Sequence, residues 1–329
     1  MAKPLQRTSL GRYFVGDCES ILRGPLGSRL RGRVQLILTS PPYPLNRKKA
    51  YGNLTGNEYQ KWFVNLAPLF RKLLRPNGSI VIELGNAWIP GRPVQSLLHL
   101  KSLIGFVENK KAPLQLCQQF ICYNPSRLPS PAAWVTVRRD RVTDSFTHVW
   151  WIARNDSPKA DNRRVLRPYS KDMRELLARG TYNDGARPSE HRISKTGFLR
   201  DRGGSIAHNV FELEPVNGQQ PRLPNVFRIA NTGSADFFLR ECRQRRVTPH
   251  PARMPAGLAS FFIKFLTGPG DLVLDPFAGS NTTGFVAELA NRYWIAIDRE
   301  SDFVRQSRIR FRDPALTRAR QRRVRRASR

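Results

Sequence analysis

Thr39-Ser40-Pro41-Pro42-Tyr43 follows the apolar run 34–38, VQLIL. Two prolines cannot continue a sheet ladder and they stiffen the backbone, so a strand ending this way holds a hydroxyl, carbonyls and an aromatic ring in fixed positions. Read alone, Ser-Pro-Pro-Tyr is equally a rigid proline turn or a polyproline ligand. A second stretch, Asp275-Pro276-Phe277-Ala278-Gly279-Ser280-Asn281-Thr282-Thr283-Gly284, lies where an expected strand turns into an expected helix. Small residues there let a ligand approach the backbone, and the N–H groups opening the helix favour a carboxylate or phosphate. The spacing is not GxGxxG, which argues against a dinucleotide. Asp298 ends the next expected strand, where an acidic residue holds a ribose diol in nucleoside-cofactor folds. Separately these are an Asx-Pro turn and a strand-capping acid; at this spacing they fit a cofactor with a ribose and a carboxylate, such as S-adenosylmethionine.

The elements around these stretches read as α/β. Residues 12–16 and 34–38 are expected strands, 57–74 an amphipathic helix, and 79–83 the next strand after the turn Arg75-Pro76-Asn77-Gly78. The segments FICYNP (120–125), AAWVTV (132–137) and HVWWIAR (148–154) are expected to complete the same sheet. From 155 to 248 the chain turns polar, turn-rich and basic, which reads as an inserted recognition region. Regular structure returns with a helix over 256–266, a strand over 272–275, a helix over 282–291 and a strand over 293–298. The organisation is thus 1–154 and 249–312 as two parts of one domain, 155–248 inserted between them, and 313–329 as a basic tail. That tail, LTRARQRRVRRASR at its end, has so little apolar content that it is expected to be disordered alone and suited to phosphate contact.

Composition names the partner class. Among 329 residues, 56 Lys and Arg against 25 Asp and Glu leave a net charge of +31, which points to a polyanion, nucleic acid first. An Arg-rich proteome would also raise the charge, but seldom by this much. A membrane surface is disfavoured because no amphipathic basic helix stands out. The start, MAKPLQRTSL, has no apolar core of signal-peptide length, and LASFFIKFL is short and interrupted by Lys264, so a cytoplasmic protein is expected. Cys18, Cys117, Cys122 and Cys242 show neither CxxC spacing nor a nearby His, which makes packed, reduced thiols the expectation and a metal site not.

DPFAGSNTTG resembles the cofactor motif of amino-group DNA methyltransferases, TSPPY resembles their catalytic motif, and His250-Pro251-Ala252-Arg253-Met254-Pro255 resembles the HPAxxP segment before the cofactor strand. The order, catalytic motif first and cofactor motif last, is similar to the β-class arrangement. Ser before Pro-Pro is similar to the cytosine-N4 members, and RKKAYGN with NVFRIANT resembles the Pvu-type enzymes of restriction-modification systems.

The resemblance implies a Rossmann-like, S-adenosylmethionine-dependent methyltransferase fold with circularly permuted motif order. It implies Ser40, Pro41, Pro42 and Tyr43 as catalytic residues. Asp17, His250, Asp275, Pro276, Phe277, Ala278, Gly279, Ser280, Thr282 and Asp298 would bind the cofactor, with Asp17 at the adenine unless it merely caps a strand. The substrate implied is the N4 amino group of a cytosine flipped out of double-stranded DNA, and the implied neighbour a cognate restriction endonuclease; monomer and dimer stay open. Lys48, Lys49, Arg243, Arg245 and Arg246 are candidate phosphate contacts.

The chemistry has its own rationale. An aromatic amino nitrogen is a poor nucleophile because its lone pair is delocalised into the ring. Acceptors such as the Ser40 hydroxyl and the Pro41 carbonyl would draw its N–H bonds out of plane, while Tyr43 stacks on the extruded base. Cytosine-C5 transfer would need a nucleophilic Cys, usually after Pro, and no cysteine here follows one. Adenine-N6 transfer and a noncatalytic nucleic-acid-binding protein on the same fold are the alternatives. His148 and His208 read as ordinary polar or core residues, and Trp62, Trp134, Trp150 and Trp151 as core.

Overall fold

The computed structural model describes residues 3–43, 54–186, 192–213, 227–229, 236–251 and 253–327. In chain order its elements are β1 (Gln6–Arg7), β2 (Gly11–Val15), α1 (Cys18–Arg23), α2 (Pro25–Leu30), β3 (Val34–Thr39), α3 (Gly56–Leu73), β4 (Leu74–Gly85), α4 (Leu98–Val107), β5 (Gln115–Tyr123) and β6 (Phe146–Ala153). There follow α5 (Lys171–Arg179), β7 (Gly185–Ala186), β8 (Arg192–Ile193), β9 (Val210–Leu213), β10 (Phe227–Ile229), α6 (Phe237–Gln244), α7 (Ala256–Leu266), β11 (Leu272–Asp275), α8 (Thr282–Leu289), β12 (Tyr293–Asp298), α9 (Ser301–Ser307) and α10 (Pro314–Ala327).

Ten strands form one sheet in the order β1-β2-β12-β11-β3-β4-β6-β5-β9-β10. The run β2-β12-β11-β3-β4 is parallel throughout, whereas β6 is antiparallel to both β4 and β5. From β11 the chain crosses through α8 to β12, and from β3 it crosses the opposite way through α3 to β4. The switch in direction therefore falls between β3 and β11, and at their carboxyl ends a parallel α/β sheet opens its ligand crevice. Ser40 follows β3 directly and Pro276 follows β11 directly.

Both faces of the sheet are covered. In β3 and β4, Ile37, Ile80 and Ile82 pack with Tyr59, Phe63, Phe70 and Phe106 of α3 and α4. Their neighbours Leu36, Leu38 and Val81 pack with Leu258, Phe262, Leu266 and Phe285 of α7 and α8. This is the two-residue alternation of a strand buried on both sides. Helix α3 meets the sheet because Tyr59, Phe63, Leu66, Phe70 and Leu73 recur at helical spacing and are all buried, each contributing roughly 2 kcal/mol to stability.

Three expectations change. AAWVTV is not a strand: Ala133–Val137 is one π-helical turn with no buried residue. Strands β4 and β5 already occupy both edges of β6, so this segment cannot pair beside the strand that follows it. Within the region 155–248, β9 and β10 extend the main sheet beside β5, through the pairs Cys122–Phe211 and Phe211–Phe227. The basic tail is helical, because Leu316 is buried at 1% exposure and Arg320 reaches the buried Glu288 at 2.7 Å. Among the described residues no helix is long and apolar enough to cross a membrane.

Candidate active site

The cavity at the switch point has a volume of about 460 Å³. Its wall contains Ser40, Pro41, Pro42, Tyr43, Asp17, His250, Asp275, Pro276, Phe277, Ala278, Gly279, Ser280, Thr282 and Asp298. These residues come from five separate stretches of chain. Arg243, Arg245 and Arg246 do not line it; they lie exposed at the end of α6 and just beyond, and Arg245 pairs with Glu241 at 2.9 Å. Lys48 and Lys49 lie outside the described residues.

The two motifs are tied together below the cavity. The Thr39 hydroxyl donates to Asp275 Oδ1 at 2.8 Å, across 236 positions of sequence. Asp275 also accepts from the Phe277 N–H at 3.2 Å and from the Thr283 hydroxyl, and burial pushes its pKa up to about 6. With its oxygens so engaged, Asp275 shapes the loop between β11 and α8. Asp298 does related work: Oδ2 accepts from the Gly279 N–H at 2.7 Å and Oδ1 from the Glu300 N–H at 3.0 Å. Gly279 has φ +48°, and a Cβ there would stand 3.2 Å from the His250 ring, so backbone and imidazole meet where a side chain would fill the space. His250 in turn packs edge-on to Phe303 at 4.3 Å. At the helix start, Asn281 Oδ1 accepts from the Gly284 N–H at 3.1 Å, so one of the helix-opening amides is already capped from within. Asp17 caps α1 through Ser20 N at 2.9 Å while also bordering the cavity.

On the other side, Ser40 and Tyr43 share a hydrogen bond, and burial, then the nearby Glu83, raise the Tyr43 hydroxyl pKa. The Tyr43 ring lies against Gly85, where an added Cβ would come within 2.7 Å of a ring carbon. Only a glycine at the end of β4 leaves that ring room.

Several residues lining the cavity or supporting its wall belong to no motif. Glu83, in the otherwise apolar strand SIVIE, is 8% exposed and accepts from the Thr147 hydroxyl at 3.2 Å; burial raises its pKa to about 7. A lone carboxylate in a fully buried strand was the available signal. The Tyr13 hydroxyl donates to the Gly279 carbonyl at 2.6 Å. Arg310, 6% exposed, donates through Nε to the Ser280 carbonyl at 3.1 Å and through Nη2 to the Ser280 hydroxyl at 3.2 Å. Trp62 lines the cavity with its ring 5.6 Å from that of Phe277, and Trp134 sits in the exposed π-turn; of the four tryptophans expected in the core, Trp150 and Trp151 are there. His148 is buried between Gln119 (3.0 Å) and Asn86 (2.8 Å) and stacks on His99 at 5.0 Å. Among the described residues no group of three or more His, Cys, Asp or Glu side chains is gathered so as to hold a metal ion.

The sequence profile described as DNA methylase matches residues 34–308. The chain is also 39% identical over 313 residues, 94% of its own length and 86% of the other's, to the type II methyltransferase M.PvuII of Proteus hauseri. The chain belongs to the DNA methylase family. A more distant relative of this methylase is the type II methyltransferase M.HpaI of Haemophilus parainfluenzae, 24% identical over 285 residues, 84% of this chain and 68% of that one. Among solved structures, the methylase superposes on the cytosine-N4-specific PvuII DNA methyltransferase with a TM-score of 0.69 and 34% identity, covering 94% and 89% of the two chains. The protein TTHA0409 of Thermus thermophilus, solved with S-adenosyl-L-methionine, shares its fold at a TM-score of 0.51 and 17% identity, covering 91% of each chain. The fold is the Rossmann-like methyltransferase fold expected from the motif order.

Proposed function

We propose that this methylase transfers the methyl group of S-adenosylmethionine to the exocyclic N4 nitrogen of a cytosine in double-stranded DNA, at a specific site, as the modification enzyme of a restriction-modification system. The observation that carries the reading is the joining of the Ser40–Tyr43 loop to the Asp275–Thr283 loop through Thr39 and Asp275 around one cavity. The relative at 39% identity and the superposed structure at 34% identity, the latter described as cytosine-N4-specific, support the choice of base.

The residues present fit the cofactor. The close approach of Gly279 to His250 forms a cradle at the loop, Asp17 and Asp298 set two carboxylates in the wall, and the buried Tyr59 hydroxyl in that wall has no hydrogen-bond partner among the described residues. Asp298 would hold the ribose, the loop 275–282 and His250 the methionine part, and Asp17 the adenine. When bound, S-adenosylmethionine supplies an electrophilic sulfonium methyl.

The protein's share of the chemistry is to position and polarise. The Ser40 hydroxyl and the Pro41 carbonyl accept from the amino group and turn its lone pair out of the ring plane, with their largest effect once that nitrogen becomes tetrahedral. Tyr43 stacks on the base and keeps it out of the helix. The amino group must lose a proton on gaining a methyl, and Glu83, lining the same cavity with a pKa of about 7, is the carboxyl able to take it. In this reading the polar part of 155–248 reads the DNA sequence, exposed arginines hold phosphates, a cognate restriction endonuclease recognises the same site, and the enzyme works in the cytoplasm beside the chromosome.

DNA from a host expressing the protein, sequenced by a method that distinguishes modified bases, should carry N4-methylcytosine in one short sequence context. Ser40→Ala should retain DNA and cofactor affinity and lose about 10²-fold or more in single-turnover rate. N6-methyladenine as the sole product would overturn the base assignment, and a wild-type rate in Ser40→Ala would remove the hydroxyl from the chemistry.

A further inference from the structure

Glu288 lies wholly buried near the end of α8, where it accepts hydrogen bonds from the Thr8 hydroxyl, the Ser9 hydroxyl at 3.3 Å, Trp294 Nε1 at 2.8 Å and Arg320 Nη2 at 2.7 Å. With the buried Leu316 it anchors α10, whose sequence PALTRARQRRVRRA carries no acidic residue, against the turn that joins β1 to β2. A shallow depression of about 640 Å³ opens at this junction, and Arg7, Arg308 and Arg320 stand on its rim beside the Thr8 and Ser9 hydroxyls. On the adjacent edge of the sheet Arg7 is paired directly opposite Arg12, and both are exposed. Like charges facing each other across an antiparallel pair destabilise it unless an anion lies over them. Arg318 and Arg325, two turns apart on α10, are exposed too.

This surface faces away from the base cavity. Strands β2 and β12 run side by side from Gly11 and Trp294 to Val15 and Asp298. The cavity lies beyond the ends of these strands and the depression before their starts, roughly 16 Å of strand apart. A duplex presenting a base to the cavity would approach the carboxyl ends of these strands, which leaves α10, at their starts, open to phosphates from another stretch of DNA. Resting on the DNA-methylase reading above, we infer that α10 and the β1–β2 edge form a second binding surface for double-stranded DNA, which grips the phosphates of a separate segment without regard to sequence while the cavity engages the target. Arginines on phosphate release counterions, and the hold they give is strong yet transferable along the polymer.

Full-length protein is compared with a variant carrying Arg7→Ala, Arg12→Ala, Arg318→Ala and Arg325→Ala, all four exposed. For a duplex without a target site, the slope of log K against log salt should flatten by about 0.9 for each phosphate that is no longer neutralised. Wild-type protein bound to an immobilised substrate duplex should capture a second labelled duplex. The Ala variant should not, and the matching Lys variant, which keeps the charge, should. Cofactor affinity and single-turnover methylation of a short duplex should be equal in all three. An Ala variant with the wild-type salt slope and undiminished capture would overturn the second surface. A wild-type protein that captures the second duplex and methylates nothing would instead overturn the activity and leave the surface standing.

Discussion

Glu83 sets stability and rate against each other. Burial raises its pKa from 4.5 to about 7, so the folded protein binds a proton between these values that the unfolded chain has lost. Stability from this group is therefore complete below about pH 4.5 and declines as pH rises towards 7, at roughly 1.4 kcal/mol per pKa unit. In the proposed role of proton acceptor the same carboxyl must be ionised, so the rate should climb with pH through about 7. Glu83→Gln is expected to remove this part of the stability decline in urea unfolding between pH 5 and 8 and to lower the single-turnover rate by about 10²-fold or more, with no rise near neutrality. A variant that keeps the wild-type pH–rate profile would take Glu83 out of the proton path.

Arg310 links helix α6 to the loop between β11 and α8. The Arg310 guanidinium lies 4.3 Å over the ring of Phe238 on α6 while its nitrogens hold the carbonyl and hydroxyl of Ser280, and burial lowers its pKa to about 10. Cation–π contact and charge-assisted hydrogen bonds at a buried site together make a stiff link between α6 and the loop. Arg310→Met should leave Ser280 without its partner and weaken cofactor binding by about 1–3 kcal/mol, raising KM for S-adenosylmethionine while the rate at saturating cofactor stays near wild type. Arg310→Lys should restore part of the affinity. Unchanged KM in the Met variant would reduce Arg310 to a packing residue.

The protein is closed by two strands from distant parts of the chain, β3 and β11, and a ligand in the crevice between them clamps both. Cofactor at 100 times its Kd should add about 2.7 kcal/mol to unfolding, read as a concentration-dependent rise in melting temperature. Asp298→Ala removes the acceptor of the Gly279 N–H and the proposed ribose partner, and should weaken the cofactor by about 1–3 kcal/mol, so that more ligand is needed for the same rise. An identical titration curve would place Asp298 outside the site. Without ligand, the variant also shows what the Gly279 contact contributes to the fold.

What could be read from the chain itself is what depends on neighbours a few positions away. The apolar period of α3, the buried runs of β3, β11 and β12, the stiffness of Pro41-Pro42 and the small residues of the 275–284 loop are local properties, and they carried the parallel fold and the cavity lining. Other features depended on partners that no local pattern specifies. AAWVTV has β-prone residues, but both edges of the neighbouring β6 are taken by β4 and β5; the arginine tail lacks a core of its own but finds Leu316 a pocket and Arg320 a buried carboxylate. Tyr13 and Arg310 look like ordinary strand and surface residues until the fold brings Gly279 and Ser280 against them, and the lone carboxylate Glu83 gains its meaning only beside Tyr43. The physical reason is that burial, and with it the strength of a hydrogen bond or the position of a pKa, is set by which elements the topology makes adjacent, and Thr39 meets Asp275 only after 236 positions of chain have been folded between them.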